Sequence, residues 1–187
     1  MPTYYEFDVE LQDIQPKIWR RFMLRNTATF ADLHRAIQDS FGWQDCHLWE
    51  FRLPTSHTRV LAGPAGDESW GPPVPDAATV KLKSYFSGTN VAEWCEYQYD
   101  FGDDWLHDVK LVALHKITTP FKRRLVDGGR AAPPEDSGGV HGYDQLVLFI
   151  QTGETLDDAD PDHLAKWLGS WHPDAFDFDT AKTSFDR

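Results

Sequence analysis

"YDFGDDWLHDV", residues 99–109, places three carboxylates (Asp100, Asp103, Asp104) and the His107 imidazole between aromatic residues. Upstream, Cys95, Tyr97, Tyr99 and Phe101 alternate with Glu96, Gln98 and Asp100. Downstream, Trp105, His107, Val109 and Leu111 alternate with Leu106, Asp108 and Lys110. A period of two on both sides of a Gly- and Asp-containing centre predicts an antiparallel hairpin. With Gly102, Asp103 and Asp104 as its tip, Phe101 faces Trp105, Tyr99 faces His107, Tyr97 faces Val109 and Cys95 faces Leu111. Glu96 then meets Lys110 on the other face, so one register pairs rings with apolar groups and opposite charges with each other. The turn explains Asp103 and Asp104. It leaves His107, a polar ring on the apolar side.

The flanking sequence extends this sheet. Tyr5, Phe7, Val9 and Leu11 alternate with Glu6, Asp8, Glu10 and Gln12, the pattern of a half-buried strand. "KIWRRFML", residues 17–24, follows a "DIQP" turn. Its Ile18, Phe22 and Leu24 share a face that Arg20 interrupts. A buried arginine ordinarily needs an acceptor, and the adjacent carboxylates Glu135 and Asp136 are the expected partners of Arg20 or Arg21. "HLWEFRL", residues 47–53, and "TVKLKSYF", residues 79–86, read as further strands.

"TFADLHRAIQDSFGW" is the clearest helix. Thr29 and Asp32 make a capping box, Phe30, Leu33, Ile37 and Phe41 line one face, and Gly42 ends it. "DPDHLAKWLG" carries Asp160 as cap, Pro161 in the first turn and Gly169 as stop. Short helices are also expected from about Tyr143 and after Asp179. Residues 54–78 hold five Pro and three Gly with no periodicity. They predict an excursion from the core, with Trp70 as its one large ring.

The fold class is therefore α+β, in one domain over 1–187. A curved, mostly antiparallel sheet packs on the 29–41 helix, short C-terminal helices stand beside it, and 54–78 is a Pro/Gly-rich insertion. Net charge is −12 from 18 basic and 30 acidic residues, and 153–187 carries nine acidic against three basic. That balance disfavours nucleic acid as partner, because neutralising phosphates requires a basic surface. No apolar run approaches the roughly 18 residues of a membrane span. The start "MPTYYEFDVE" lacks the features of a signal peptide. Two distant cysteines, Cys46 and Cys95, fit reduced thiols in a cytoplasmic protein.

"IWRRFML", "FADLHRAIQDSFGW", "HLWEF", "YDFGDDWLHDV", "PPEDSGGVHGYD" and "PDAFDFD" together, in this order and spacing, resemble the plasmid pRiA4b ORF-3-like family over nearly the whole chain except 54–78. The resemblance implies a compact α+β roll and no established activity. Some members carry labels as transposon resolvases or repressor-like proteins. This sequence shows neither the nucleophile segment of a serine resolvase nor a basic helix-turn-helix tail. Many relatives carry cysteines around the "PPED" loop. Here those positions are Leu125, Ala132 and Ser137, so a thiolate site does not carry over.

Two functional readings follow. The first is a non-enzymatic module binding a protein or small ligand through Arg20 of the 17–24 strand and Asp103, Asp104, Glu135 and Asp136 of two ordered loops. The second is a metal-dependent hydrolase or nuclease in which His34, His47, His107 and His141 join those carboxylates and Asp100 as ligands. No compact signature such as H-E-x-x-H occurs, and the sequence requires no cofactor. His47 follows Cys46 directly, so on a strand the two point apart, and Cys46 reads as a buried bystander thiol.

Overall fold

The computed structural model describes residues 1–54, 56–65, 74–87, 93–155 and 159–186, with backbone alone at 56–59. Among them, seven strands form one sheet: β1 Thr3–Leu11, β2 Trp19–Arg25, β3 Trp49–Leu53, β4 Ser56–Ala62, β5 Trp94–Tyr99, β6 Trp105–Lys116 and β7 Arg123–Gly129. The spatial order is β4-β3-β5-β6-β1-β2-β7 and every pairing is antiparallel. Four α-helices accompany them: α1 Phe30–Phe41, α2 Gly139–Thr152, α3 Pro161–Leu168 and α4 Phe178–Phe185. The class is α+β. No helix among the described residues is long and apolar enough to cross a membrane.

The α1 helix forms where its caps predict. Thr29 and Asp32 complete a reciprocal capping box, and Gly42 ends the helix in the left-handed conformation at φ 82°. Phe30, Leu33 and Ile37 are fully buried with Phe7, Phe22, Phe51 and Val109 of the sheet. Phe185 of α4 enters the same core, its ring 5.4 Å from that of Phe22. Burial of so many large rings supplies the main driving force, about 1.5–3 kcal/mol for each.

The central hairpin is right in its faces and wrong in its register. His107, Tyr97, Tyr99 and Cys95 are all buried. Yet His107 stands opposite Tyr97, Val109 opposite Cys95, and Trp105 opposite Tyr99, while Glu96 meets Asp108 and Lys110 meets Trp94. The tip spans five residues, not three. Asp100 and Asp104 both adopt positive φ (54° and 56°), and Asp104 N–H donates to the Asp100 carbonyl at 2.7 Å. The Asp100 carboxylate accepts from Gly102 N–H at 2.9 Å, folding the turn from inside. Phe101 is left at the tip, 46% exposed. A shift of two residues leaves every side chain of the paired strands on its expected face, Phe101 alone passing into the tip, which is why the pattern concealed it.

Other departures are local. Residues 79–86 give no strand; Leu82–Ser84 is one 3-10 turn that buries Leu82 and Phe86. Within 54–78, β4 pairs with β3, and Ala62 and Ala77 are buried in the core. The Ala77 carbonyl accepts from Ala31 N–H at 3.0 Å, so that segment is attached to α1. Trp70 lies outside the described residues. The α2 helix starts at Gly139, four residues before Tyr143, and Asp177, not Asp179, caps α4.

The predicted pairing of Arg20 fails. Arg20 is 2% exposed. Its Nε donates to the Ser40 carbonyl at 2.7 Å, and Nη1 donates to those of Trp19 (2.8 Å) and Gly129 (3.0 Å). Its guanidinium lies over the rings of Phe176 (3.9 Å) and Phe41 (4.9 Å). Carbonyl dipoles and ring faces substitute for the expected carboxylate. Arg21 pairs instead with Asp8 across β1–β2.

Candidate metal centre at the hairpin tip

Three segments converge beyond one end of the sheet: the 42–48 connection from α1 to β3, the Asp100–Asp104 tip, and the Pro133–Gly138 loop before α2. Each is fixed by backbone contacts. Trp43 Nε1 donates to the Pro133 carbonyl at 2.9 Å, and Trp171 Nε1 to that of Ala132 at 2.8 Å. The Asp103 carboxylate accepts from Gly138 N–H at 2.9 Å. Gly139, at φ 67°, comes so close to the tip that a Cβ there would stand 2.5 Å from the Asp103 carbonyl oxygen. Only glycine permits that approach.

These constraints bring His47 to a carboxylate cluster. Its Nε2 lies 3.2 Å from Asp136 Oδ1, 3.5 Å from Asp100 Oδ2 and 3.8 Å from Glu135 Oε2. That nitrogen is shielded from solvent, and none of these approaches has hydrogen-bond geometry. His47, Asp100 and Asp136 can each present one ligand atom within 4.8 Å of the others, and so can Cys46, His47 and Glu135. No Lys or Arg among the described residues pairs with Asp100, Glu135 or Asp136. Three acidic side chains thus surround one imidazole without a fixed cation, an arrangement that a divalent ion would relieve.

Glu135 has a further role. One of its oxygens accepts from Gln44 N–H at 2.7 Å and from the Tyr99 hydroxyl at 3.1 Å. Burial, with the neighbouring Cys46 and Glu135, holds the Tyr99 hydroxyl well above the usual phenol range, so it remains a donor. Cys46 is exposed, not buried, because it precedes β3 instead of lying in it. Its N–H donates to the Tyr99 hydroxyl at 3.2 Å, and its Sγ is 3.8 Å from the same oxygen.

The remaining predicted ligands are dispersed. His34 stacks on Trp49 with ring centroids 3.7 Å apart and bonds Tyr97 and Asp45 at 2.8 Å each. Burial lowers its pKa to about 4. His107 is sealed in the core, its Nδ1 facing the carbonyls of Trp105 (3.1 Å) and Tyr97 (3.3 Å), and burial lowers its pKa to about 3. Carbonyl neighbours assign the proton to Nδ1. His141 pairs with Gln145 one turn along α2. Asp104 accepts from Gln98, and Arg130 pairs with Asp174. Of the four histidines only His47 reaches the carboxylates. The Cys46 thiol and the Tyr99 hydroxyl belong to the cluster although the sequence reading left them out. For Cys46 the signal lies in the loop that separates Trp43 from β3, where strand alternation does not apply; Tyr99 ends β5 beside the tip.

The family model for the plasmid pRiA4b ORF-3-like protein matches residues 3–180. The chain is 32% identical over 184 residues to the uncharacterized protein y4hQ of Sinorhizobium fredii (strain NBRC 101917 / NGR234), covering 96% of this chain and 85% of that one. Its structure is similar to the crystal structure of MM3350, a protein of unknown function from Methanosarcina mazei Go1. The TM-score is 0.79 at 33% identity, with 95% of each chain covered.

Proposed function

The chain belongs to the plasmid pRiA4b ORF-3-like family, and we propose that it is a binding module for one divalent transition-metal ion at the hairpin tip. His47, Asp100 and Asp136 are the ligands, with Glu135 and Cys46 at the margin. The observation that carries this reading is the shielded, unbonded His47 Nε2 facing three carboxylates. A buried nitrogen without a partner is costly, on the order of 1–3 kcal/mol, and coordination satisfies it. A nitrogen and oxygen donor set with a thiol beside it suits zinc, manganese, cobalt or nickel better than calcium or magnesium.

The test is metal retention. Protein purified without a polyhistidine tag is stripped with chelator, equilibrated with each metal, dialysed and assayed by mass spectrometry. Roughly one ion per chain is expected in the wild type, with loss in His47→Ala and Asp136→Asn. Equal retention by His47→Ala and wild type would remove the site.

A second reading, metal-dependent hydrolysis, has one specific support. Glu135 is positioned by Gln44 and Tyr99 at the edge of the ligand set, where a carboxylate can take a proton from water. Metal-dependent cleavage of bis-p-nitrophenyl phosphate that disappears in Glu135→Gln would place it ahead of simple binding.

A further inference from the structure

A cleft of about 720 Å³ runs from Glu135 and Asp136 past Trp43 and Trp171 to Arg20. Its far end is chemically unusual. Arg20 has five N–H donors, and Nε and Nη1 spend three of them on carbonyls. The two donors of Nη2 have no partner among the described residues. No carboxylate among those residues pairs with this guanidinium. Two acids that line the cleft are engaged elsewhere: Asp39 pairs with Arg123, and Asp177 caps α4 through Thr180. Burial lowers the arginine's pKa to about 9, the desolvation that an acidic ligand would offset.

The walls are aromatic. Phe41 and Trp43 stack with centroids 5.1 Å apart, and Phe176 covers the guanidinium. We propose that this cleft is a binding site for a small aromatic carboxylate, its acid group on Arg20 Nη2 and its ring between Trp43 and Phe176. A carboxylate supplies the missing charge and can accept charge-assisted hydrogen bonds from Nη2. A flat ring matches the walls, and the volume lies within the range of small-molecule sites. The seat at Arg20 stands without a metal. Only the placement of the ligand's other end beside Asp136 rests on the preceding reading.

Benzoate and its neutral isostere benzamide separate the possibilities. Titration against tryptophan fluorescence should give saturable binding of benzoate and little response to benzamide. Arg20→Met, if folded, should weaken benzoate roughly tenfold or more, the loss expected for a charged hydrogen bond. His47→Ala should bind benzoate as the wild type does while losing the cation, so failure at one end is distinguishable from failure at the other. Should Arg20→Met not fold, the wild type still decides through its arginine side-chain nitrogen resonances. Benzoate, and not benzamide, should shift Arg20 Nε. Equal binding of the two probes, unchanged benzoate affinity in folded Arg20→Met, or an unmoved Arg20 resonance at saturating benzoate would overturn the site.

Discussion

Tyr97 stands directly opposite His107 across the β5–β6 ladder, with ring centroids 5.4 Å apart and both residues fully buried. Tyr97 also receives Gln38 and faces His34 through its hydroxyl. Two neutral imidazoles therefore flank one phenol in the core, and proton uptake by either works against folding.

The consequence is a stability that falls on acidification. Both histidines have folded pKa values (about 4 and about 3) below the ordinary 6.5. The unfolded chain thus binds more protons between those values and 6.5. Stability is full above about pH 6.5 and declines as pH falls, by about 1.4 kcal/mol per unit for each group. Urea titrations from pH 7.5 to 5 should show this decline, and His107→Phe should flatten it by about half. An unchanged slope in that variant would show that His107 is not buried neutral.

Arg20→Ala should destabilise the protein by on the order of 3 kcal/mol, because the Ser40, Trp19 and Gly129 carbonyls lose their donor and two rings lose their filler. Arg20→Lys should recover little, since an ammonium cannot span that fork. Chemical denaturation of both variants checks this, and recovery by lysine would reduce Arg20 to a point charge.

Glu135 and Asp136 should part company despite adjacency. Glu135→Ala removes the acceptor of Gln44 N–H and Tyr99 and should cost about 1–2 kcal/mol. The side chain of Asp136 is 74% exposed and at φ 57°. Asparagine tolerates that backbone, so Asp136→Asn should change stability by under about 0.5 kcal/mol while abolishing metal retention. Thermal melts with and without metal distinguish the two.

Excising 54–78 between Leu53 and Thr79 should lower the soluble yield and the melting temperature, contrary to expectation for a surface loop. Buried Ala62 and Ala77 leave with it, as does the bond to Ala31. A shortened protein melting like the wild type would restore the loop reading.

Elements with local chemistry were legible in the residues themselves. Thr29, Asp32 and Gly42 delimit α1, Asp160, Pro161 and Gly169 delimit α3, and alternation identifies β1 and both faces of the β5–β6 hairpin. Its register was not legible, because period two survives a slip of two and the deciding bonds are those Asp100 makes within the tip. β4 carries no alternation and is made a strand by the unsatisfied edge of β3. The carboxylates of the candidate site were visible as loop residues. Their convergence on His47 was not, since it depends on where the Pro133–Gly138 loop docks. Arg20 was recognised as buried, but its acceptors are main-chain atoms that no side-chain inventory reveals.

The close passage of Gly139 over the Asp103 carbonyl sets the bite of the whole cluster. Asp100 is carried by the tip and Asp136 by the loop, so bare main chain is the spacer between the two proposed ligands. A single added carbon at residue 139 would act as a shim, moving Asp136 away from Asp100 while removing no donor atom. On the metal-binding proposal, selectivity among ions of different radius would be held by a position that never touches the ion.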